Sequence, residues 1–189
     1  GWLREEFEAL GVSYQARGAV TDEYLQVMKS LWSSNRPQFD GEHYRFSDIG
    51  FAPKPVRGKI PIWVGGHTRR AIRRAVKYGD AWHPTRQTPE QVAAMVPYLN
   101  SYCHELGRER EEVTISLKRT LHFTDVGIEL PTRVQSNAAL ISSTEEVVED
   151  VYRCEELGIK QLTFDFQTRT IDECIKTMEH FADKVMCLF

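Results

Sequence analysis

Residues 60–68 read Ile60-Pro61-Ile62-Trp63-Val64-Gly65-Gly66-His67-Thr68, and the chain runs on through Arg69-Arg70-Ala71-Ile72-Arg73-Arg74-Ala75-Val76-Lys77-Tyr78 to Gly79-Asp80-Ala81-Trp82-His83. The apolar run from Ile60 to Val64 is a short buried strand, and two glycines end it. A helix comes at once, from Thr68 to Tyr78. Ala71, Ile72, Ala75 and Val76 supply its buried side, and Gly79 is placed to close it. Asp80-Ala81-Trp82-His83 then reads as a second short strand. Strand, helix and strand in immediate succession predict parallel strands joined by a right-handed crossover.

The same alternation continues downstream. Thr88-Pro89-Glu90-Gln91 is a helix start, with Thr as cap, Pro at the first helical position and Gln three residues after the cap. Val92, Met95, Val96, Leu99, Cys103 and Leu106 form the apolar face of this helix, and Gly107 ends it. Val113-Thr114-Ile115-Ser116-Leu117 alternates as a strand does. Lys118 to Leu140 reads as a long loop with some helix. Ser143-Thr144-Glu145-Glu146 is a capping box before a stripe of Val147, Val148, Val151, Cys154 or Tyr152, and Leu157, closed by Gly158. Gln161 to Phe166 is a strand. Thr170-Ile171-Asp172-Glu173 opens a last helix, with Ile175, Met178, Phe181, Ala182 and Val185 expected inside.

Upstream, Thr21-Asp22-Glu23 is read as the opening of a helix, with Val20, Tyr24, Val27, Met28 and Leu31 at helical spacing and Arg17 and Glu23 as a pair near its start. Asn35 to Gly58 reads as a long loop. The alternation is that of an α/β protein with a parallel sheet and four visible strand–helix units. A closed (β/α)8 barrel needs eight units in about 250 residues. Two architectures remain: a small open sheet, or the C-terminal half of a barrel. A chain that begins on a helix without its preceding strand favours the second.

The chain has 189 residues, with 24 Lys and Arg against 27 Asp and Glu, a net charge of −3. Hydrophobic residues make up 41% and charged residues 27%, which excludes wholesale disorder. No window approaches the roughly 20 apolar residues of a membrane span. Gly1-Trp2-Leu3-Arg4-Glu5-Glu6 is not a signal peptide, and no starting Met is present. The near-neutral charge removes the sequence-wide basic signal of a nucleic-acid binder. Cys103, Cys154, Cys174 and Cys187 form no C-x-x-C pair, so no zinc ribbon, other metal site or thioredoxin motif is expected. Reduced thiols fit a cytoplasmic protein.

Gly65-Gly66 is the best site signal. Glycines let the backbone approach a ligand, and the first-turn N–H groups of the helix after them favour a phosphate or other anion. The competing reading is a tight turn that needs positive φ. The pattern is neither G-x-G-x-x-G nor a P-loop. His67 either donates to that anion or is a surface histidine. Trp82 and His83 lie at the end of the next strand, where parallel sheets build ligand sites. Trp82 then packs on a flat ring or in the core, and His83 reaches a polar group or sits at the rim. Arg69, Arg70, Arg73, Arg74 and Lys77 read as a solvated face, with Arg69 and Arg70 near enough to add to an anion site. Asp165, inside a strand, needs a partner. Lys118 and Arg119 are the candidates, in a structural ion pair. No G-x-S-x-G, H-E-x-x-H or Cys–His pair is present, and no general acid or base is identified.

These residues resemble a family. Gly1-Trp2-Leu3-Arg4-Glu5-Glu6-Phe7-Glu8-Ala9-Leu10-Gly11 looks like the segment after the fourth strand of luciferase-like monooxygenases. Arg17 to Tyr24 and Phe39-Asp40-Gly41-Glu42-His43-Tyr44 look like the next stretches of the same family. Phe51-Ala52-Pro53-Lys54-Pro55-Val56 leading to Pro61-Ile62-Trp63-Val64-Gly65-Gly66 is the most specific match, and Ala71 to Ala75 with Gly79-Asp80-Ala81-Trp82 completes it. The similarity is strong over residues 1–84 and greatest to the branch that uses the deazaflavin coenzyme F420.

The resemblance implies a luciferase-like TIM barrel, (β/α)8, whose first four strands are absent from this chain. Residues 1–189 would then be the C-terminal part of one such domain, with no second domain. It implies an oxidoreductase that moves a hydride to or from a small organic substrate through F420, or, as the alternative, an FMNH2-dependent monooxygenase. It implies that Gly65 and Gly66, with His67 beside them, hold the cofactor's phosphate, that Trp82 and His83 lie near its tail, and that Trp2 and Glu5 face it. The family's catalytic candidates come from the missing strands, so no catalytic residue carries over, and a truncated, non-catalytic remnant is a further reading. A phosphosugar isomerase or lyase would use the same turn with Lys118 as its base. The expected partner is a small-molecule substrate, not nucleic acid or membrane, and the full-length protein is expected to be a homodimer.

Overall fold

Arg17, not Thr21, begins the first long helix. The computed structural model describes residues 1–131 and 140–189, and the chain divides into two units, Gly1–Pro61 and Ile62–Phe189. The first unit holds α1 (Arg4–Ala9), α2 (Arg17–Ser33) and a small antiparallel hairpin, β1 (Phe39–Asp40) with β2 (Arg45–Phe46). The Ser13 hydroxyl accepts the Ala16 amide at 3.2 Å just before α2, so the helix needs no cap at Thr21. The Thr21 hydroxyl instead donates back to the Arg17 carbonyl at 2.6 Å.

The expected Arg17–Glu23 pair does not form. The Arg17 guanidinium lies 3.8 Å from the centroid of the Tyr14 ring and donates to the Tyr14 carbonyl. The Glu23 carboxylate accepts the backbone amides of Glu42, His43 and Tyr44 at 2.8, 3.0 and 3.0 Å. Donors already fixed on a backbone lose less entropy than a mobile guanidinium, so they win the carboxylate. The Lys54 ammonium donates to the Leu31 and Ser34 carbonyls at the end of α2. The segment 35–58 is therefore a hairpin and a strapped connection rather than a featureless loop.

The second unit is the parallel α/β part. Its elements are β3 (Trp63–Gly65), α3 (Arg69–Tyr78), β4 (Ala81–His83), α4 (Pro89–Ala93), α5 (Val96–Glu105), β5 (Thr114–Leu121), β6 (Leu140–Ile141), α6 (Thr144–Glu156), β7 (Gln161–Phe166) and α7 (Ile171–Lys184). Its strand pairs are parallel, and β3, β4, β5 and β7 lie side by side in chain order. The two-residue β6 pairs with the last residues of β5, on the edge that β4 occupies lower down. This stepwise order with helices between is that of (β/α) barrel strands.

Alternation splits the sheet into two faces. Val64, Trp82, Ile115, Leu117 and Leu121 are buried on the face that packs on the helices, against Ala71, Ile72, Ala75, Val76, Leu99 and Cys103. Leu121, Phe123, Ile141, Val147 and Val185 form the core at the β5–β7 end. The opposite face carries Trp63, Gly65, His83, Ser116, Lys118, Thr120, Thr163 and Asp165.

Three expectations shift. The helix after Thr88 keeps its capping box but is two helices, because Pro97 lacks an amide hydrogen and cannot continue α4. The strand expected to stop at Leu117 runs to Leu121, while residues 132–139 of the expected loop lie outside the described residues. Ile175 and Met178 are half exposed rather than inside. Ala182 is exposed as well, Val185 is buried as expected, and Thr177 is buried where an apolar residue was expected.

Arg119 explains the longer strand. Its side chain, 5% exposed, meets Asp150 of α6 through two hydrogen bonds at 2.8 and 2.7 Å and donates a third to the Gln87 carbonyl. Burial and the Asp150 carboxylate beside it push the Cys154 thiol up to about 12, so this cysteine is unreactive near neutrality. Removing one partner leaves the other charged and buried. Asp150→Ala should cost about 3–5 kcal/mol of unfolding free energy, and Asp150→Leu with Arg119→Met should recover most of it. Urea denaturation checks both, and a loss below about 1 kcal/mol in the single variant would contradict the buried pair.

Candidate functional site

The site grows from the turn between β3 and α3. Gly66 has φ of +116°, and a Cβ there would lie 3.0 Å from the Ala71 Cβ. A side chain at this position would face backbone strain and a collision with the helix together. Gly66 is held at both ends: its amide donates to the His83 carbonyl at 3.3 Å, and its carbonyl accepts the Trp82 indole N–H at 2.7 Å. The turn therefore needs its glycine for shape, as the tight-turn reading requires. The anion reading rests on the first-turn amides of α3 alone. The Gly66 amide is spent within the sheet, so the amides offered to an anion are those of the first turn of α3.

Thr68 caps α3 by accepting the Ala71 amide at 3.3 Å. His67, Arg69 and Arg70 are exposed around this start. The cations of α3 are not simply solvated. Arg69 lies 4.8 Å from the centroid of Tyr98, while Arg73 donates to the Tyr98 hydroxyl at 2.6 Å and stands 5.5 Å from the Tyr102 ring. The aromatic partners come from α5, at a distance in sequence that no local pattern reveals.

Trp82 is 1% exposed. Its ring is in the helix-side core, and its contribution here is the hydrogen bond that fixes Gly66. His83 points to the other face. Its Nδ1 shares a hydrogen bond with the Ser116 hydroxyl at 2.9 Å, and its ring stands 5.7 Å from that of Trp63. Burial and, after it, the positive charge of Lys118 hold the His83 pKa below the ordinary histidine value. Lys118 in turn pairs with Asp165 at 2.8 Å. Asp165 thus takes Lys118, one of the two partners expected, and Arg119 belongs to Asp150. Trp2 is 83% exposed and Glu5 is exposed on α1, both in the first unit. Among the described residues, no group of three or more His, Cys, Asp or Glu side chains is arranged to hold a metal ion.

The sheet register makes the site legible as a row. Gly65 stands opposite His83 across β3 and β4, Ser116 opposite Gln161, and Lys118 opposite Thr163 across β5 and β7. Sequence reasoning singled out the two glycines, His67 and His83. It missed Ser116, whose neighbours Ile115 and Leu117 placed it on the opposite face but whose partner lies 33 residues away.

Residues 1–126 match the luciferase-like monooxygenase family, and the chain belongs to it. An uncharacterized protein of Mycobacterium tuberculosis is 25% identical over 190 residues, covering 96% of this chain and 57% of its own length. An FMNH(2)-dependent dimethylsulfone monooxygenase of Pseudomonas putida is 30% identical over 100 residues, covering 51% of this chain and 28% of its own. Among solved structures, a monooxygenase from Streptomyces bottropensis superposes with a TM-score of 0.77 at 18% identity, covering 98% of this chain and 66% of that one. An F420-dependent secondary alcohol dehydrogenase superposes with a TM-score of 0.75 at 16% identity, covering 94% and 63%. The fold is the luciferase-like TIM barrel, and the chain spans little more than half the length of the first curated relatives it matches.

The glycine turn can be tested without any ligand. Gly66→Ala should lower unfolding free energy by about 1–3 kcal/mol, the range for a strained non-glycine backbone. Gly65→Ala, whose Cβ would meet only the His83 carbonyl at 3.9 Å, should change it by less than about 1 kcal/mol. Urea titration of the two variants side by side reads the difference.

Proposed function

We propose that the protein is a flavin- or deazaflavin-dependent oxidoreductase that passes a hydride to or from a small organic substrate, with F420 as cofactor. The observation that carries the reading is the β3–α3 turn. Gly66 has φ of +116°, where a side chain is strained, α3 begins beside it with its first-turn amides, and exposed Arg69, Arg70 and His67 surround it. This is the chemistry of a phosphate cradle, and it fits the phosphate of such a cofactor. Gly65, Gly66 and His67 would hold that phosphate. Trp82 would fix the turn from behind, while His83 presents its ring beside it. Trp2 and Glu5 remain cofactor-facing candidates by family resemblance. When bound, the cofactor supplies the hydride chemistry, and the chain's own residues bind, orient and exclude water.

A second reading uses reduced FMN in a monooxygenase. The 30% identity over 100 residues with the FMNH(2)-dependent dimethylsulfone monooxygenase supports it. The likeness in fold to the F420-dependent secondary alcohol dehydrogenase is consistent with the first. A third is a chain that binds but does not turn over, since it spans 57% of its curated relatives. Four cysteines without a disulfide fit a cytoplasmic setting.

A thermal melt of the chain with F420, with FMN and with inorganic phosphate separates these readings. A ligand at 100 times its Kd raises native stability by about 2.7 kcal/mol. F420 should raise the Tm more than FMN, and phosphate should raise it weakly. A larger rise with FMN favours the monooxygenase, and a transition that none of the three moves overturns the cofactor reading for this chain.

A further inference from the structure

The outer face of the helix layer carries its charge in stripes. On one flank, α3 holds Arg69, Arg70, Arg73, Arg74 and Lys77 and no acid. On the other, α6 holds six acids, among them exposed Glu145 and Glu149, against the single cation Arg153. Between them runs the outer side of α5, where exposed Pro97, Asn100 and Ser101 carry no charge. Packing sets this order across the layer. α3 packs on α5, and α4, which leads directly into α5, packs on α6. All four helices belong to the second unit.

The facing charges are not matched within the chain. Among the described residues, Arg69 and Arg73 meet Tyr98 rather than a carboxylate: Arg73 donates to its hydroxyl at 2.6 Å, and Arg69 lies 4.8 Å from its ring centroid. The tyrosine holds two guanidinium groups in place without neutralising them. On α6, Arg153 is taken by Glu90 at 2.9 Å and Glu156 at 3.0 Å. Like charges four residues apart on a helix repel, so both flanks gain from a counter-charge.

We infer that this outer face is an interface between two copies of the chain, related by a twofold axis that runs along α5. Such an axis lays the α3 stripe of one copy on the α6 stripe of the other, and does so twice, while the uncharged α5 strips meet at its centre. An axis across the helices would instead set α3 against α3, where like charges oppose. The spacings agree, because Arg69 and Arg73 stand four residues apart, as do Glu145 and Glu149, about 6 Å along each helix. Helices on the outer ring of a barrel curve away from a facing surface, so the flanks must be bridged by long side chains, which arginine and glutamate supply. Tyr98 already orders the arginines, and that lowers the entropy lost on association.

A second copy is the occupant favoured here because one chain carries both complementary stripes, with a neutral strip midway between them. The residues point away from the sheet. Further strands of a barrel join at the sheet's edges rather than over the outer helices, so this face is the same in a longer chain.

Sedimentation velocity of the chain at about 50 mM and about 300 mM NaCl tests the inference. At the lower salt the mass should rise with concentration to that of two copies, and the dissociation constant should be at least about tenfold higher at the upper salt. Arg69→Glu with Arg73→Glu should sediment as a monomer, and so should Glu145→Lys with Glu149→Lys. An equimolar mixture of these two double variants should form the dimer again, since both flanks then pair opposite charges. Circular dichroism checks that each variant is folded, and the α6 pair tests the face independently if the arginine variant is not. A chain that stays monomeric at low salt, a dimer that survives folded double variants, or a mixture that remains monomeric overturns the inference. So does a monomeric wild type that binds polyglutamate through Arg69 and Arg73, which assigns the face to an acidic partner instead. None of these readings requires a cofactor.

Discussion

The hydrogen bond from the Trp82 indole to the Gly66 carbonyl is the constraint on which the site depends. It crosses from β4 to the end of β3 and joins the helix-side core to the turn before α3. Its partner bond, from the Gly66 amide to the His83 carbonyl, closes the same two strands from the other side. Together they commit both polar groups of one glycine to the sheet. The chain must then leave in a left-handed conformation and start α3 at once. The exposed amides of that helix are therefore aimed by a tryptophan that is sealed from solvent. Such a bond contributes about 1 kcal/mol net, but its larger effect is to remove alternative turn geometries.

Much of this was legible in the sequence, for local reasons. Strand, glycine pair and helix succeed each other without a spacer, and each carries its own signal: apolar run, conformational freedom, helical spacing. The hydroxyl caps at Thr88, Ser143 and Thr170 stand where residue type alone put them, but only Thr88 closes the reciprocal box, because Glu146 and Glu173 accept the amides of Ser142 and Arg169 instead. What the sequence hid were choices between partners far apart. Glu23 had a cation six residues away, yet the hairpin amides take it. Tyr98 and Tyr102 meet the arginines of α3 only because α5 folds back on that helix. Ile175 and Met178 fit the apolar period of α7, but the buried side of that helix passes through Thr177 instead, where a hydroxyl bonded to the Glu173 carbonyl is satisfied without a neighbour.

The family assignment and the site draw on different evidence. Family membership rests on the match over residues 1–126, and the fold on superposition with structures that share less than a fifth of their residues with this chain. Neither speaks to chemistry at particular atoms. The relatives include proteins named for FMNH(2) and for F420, so the fold tolerates both. The choice between them must lie in side chains, and the polar sheet face is where this chain's side chains are specific.

Lys118 and Arg119 show how that specificity is built. They are consecutive cations on β5, and from the sequence either was an acceptable partner for Asp165. Strand alternation separates them. Arg119 turns to the helices, where a bidentate carboxylate and a backbone carbonyl compensate its burial. Lys118 turns to the open face and meets a carboxylate that is itself partly exposed. A guanidinium suits the first position because its planar fork satisfies several acceptors at once, and an ammonium suits the second because it keeps donors free after pairing. The buried pair locks β5 to α6 and so sets the strand's rotation. Any slip that freed Arg119 would also carry Lys118 and Ser116 off the polar face. The buried ion pair is thus what holds His83's neighbours in place, and the cost of burying it on one side of the strand secures the polar group on the other.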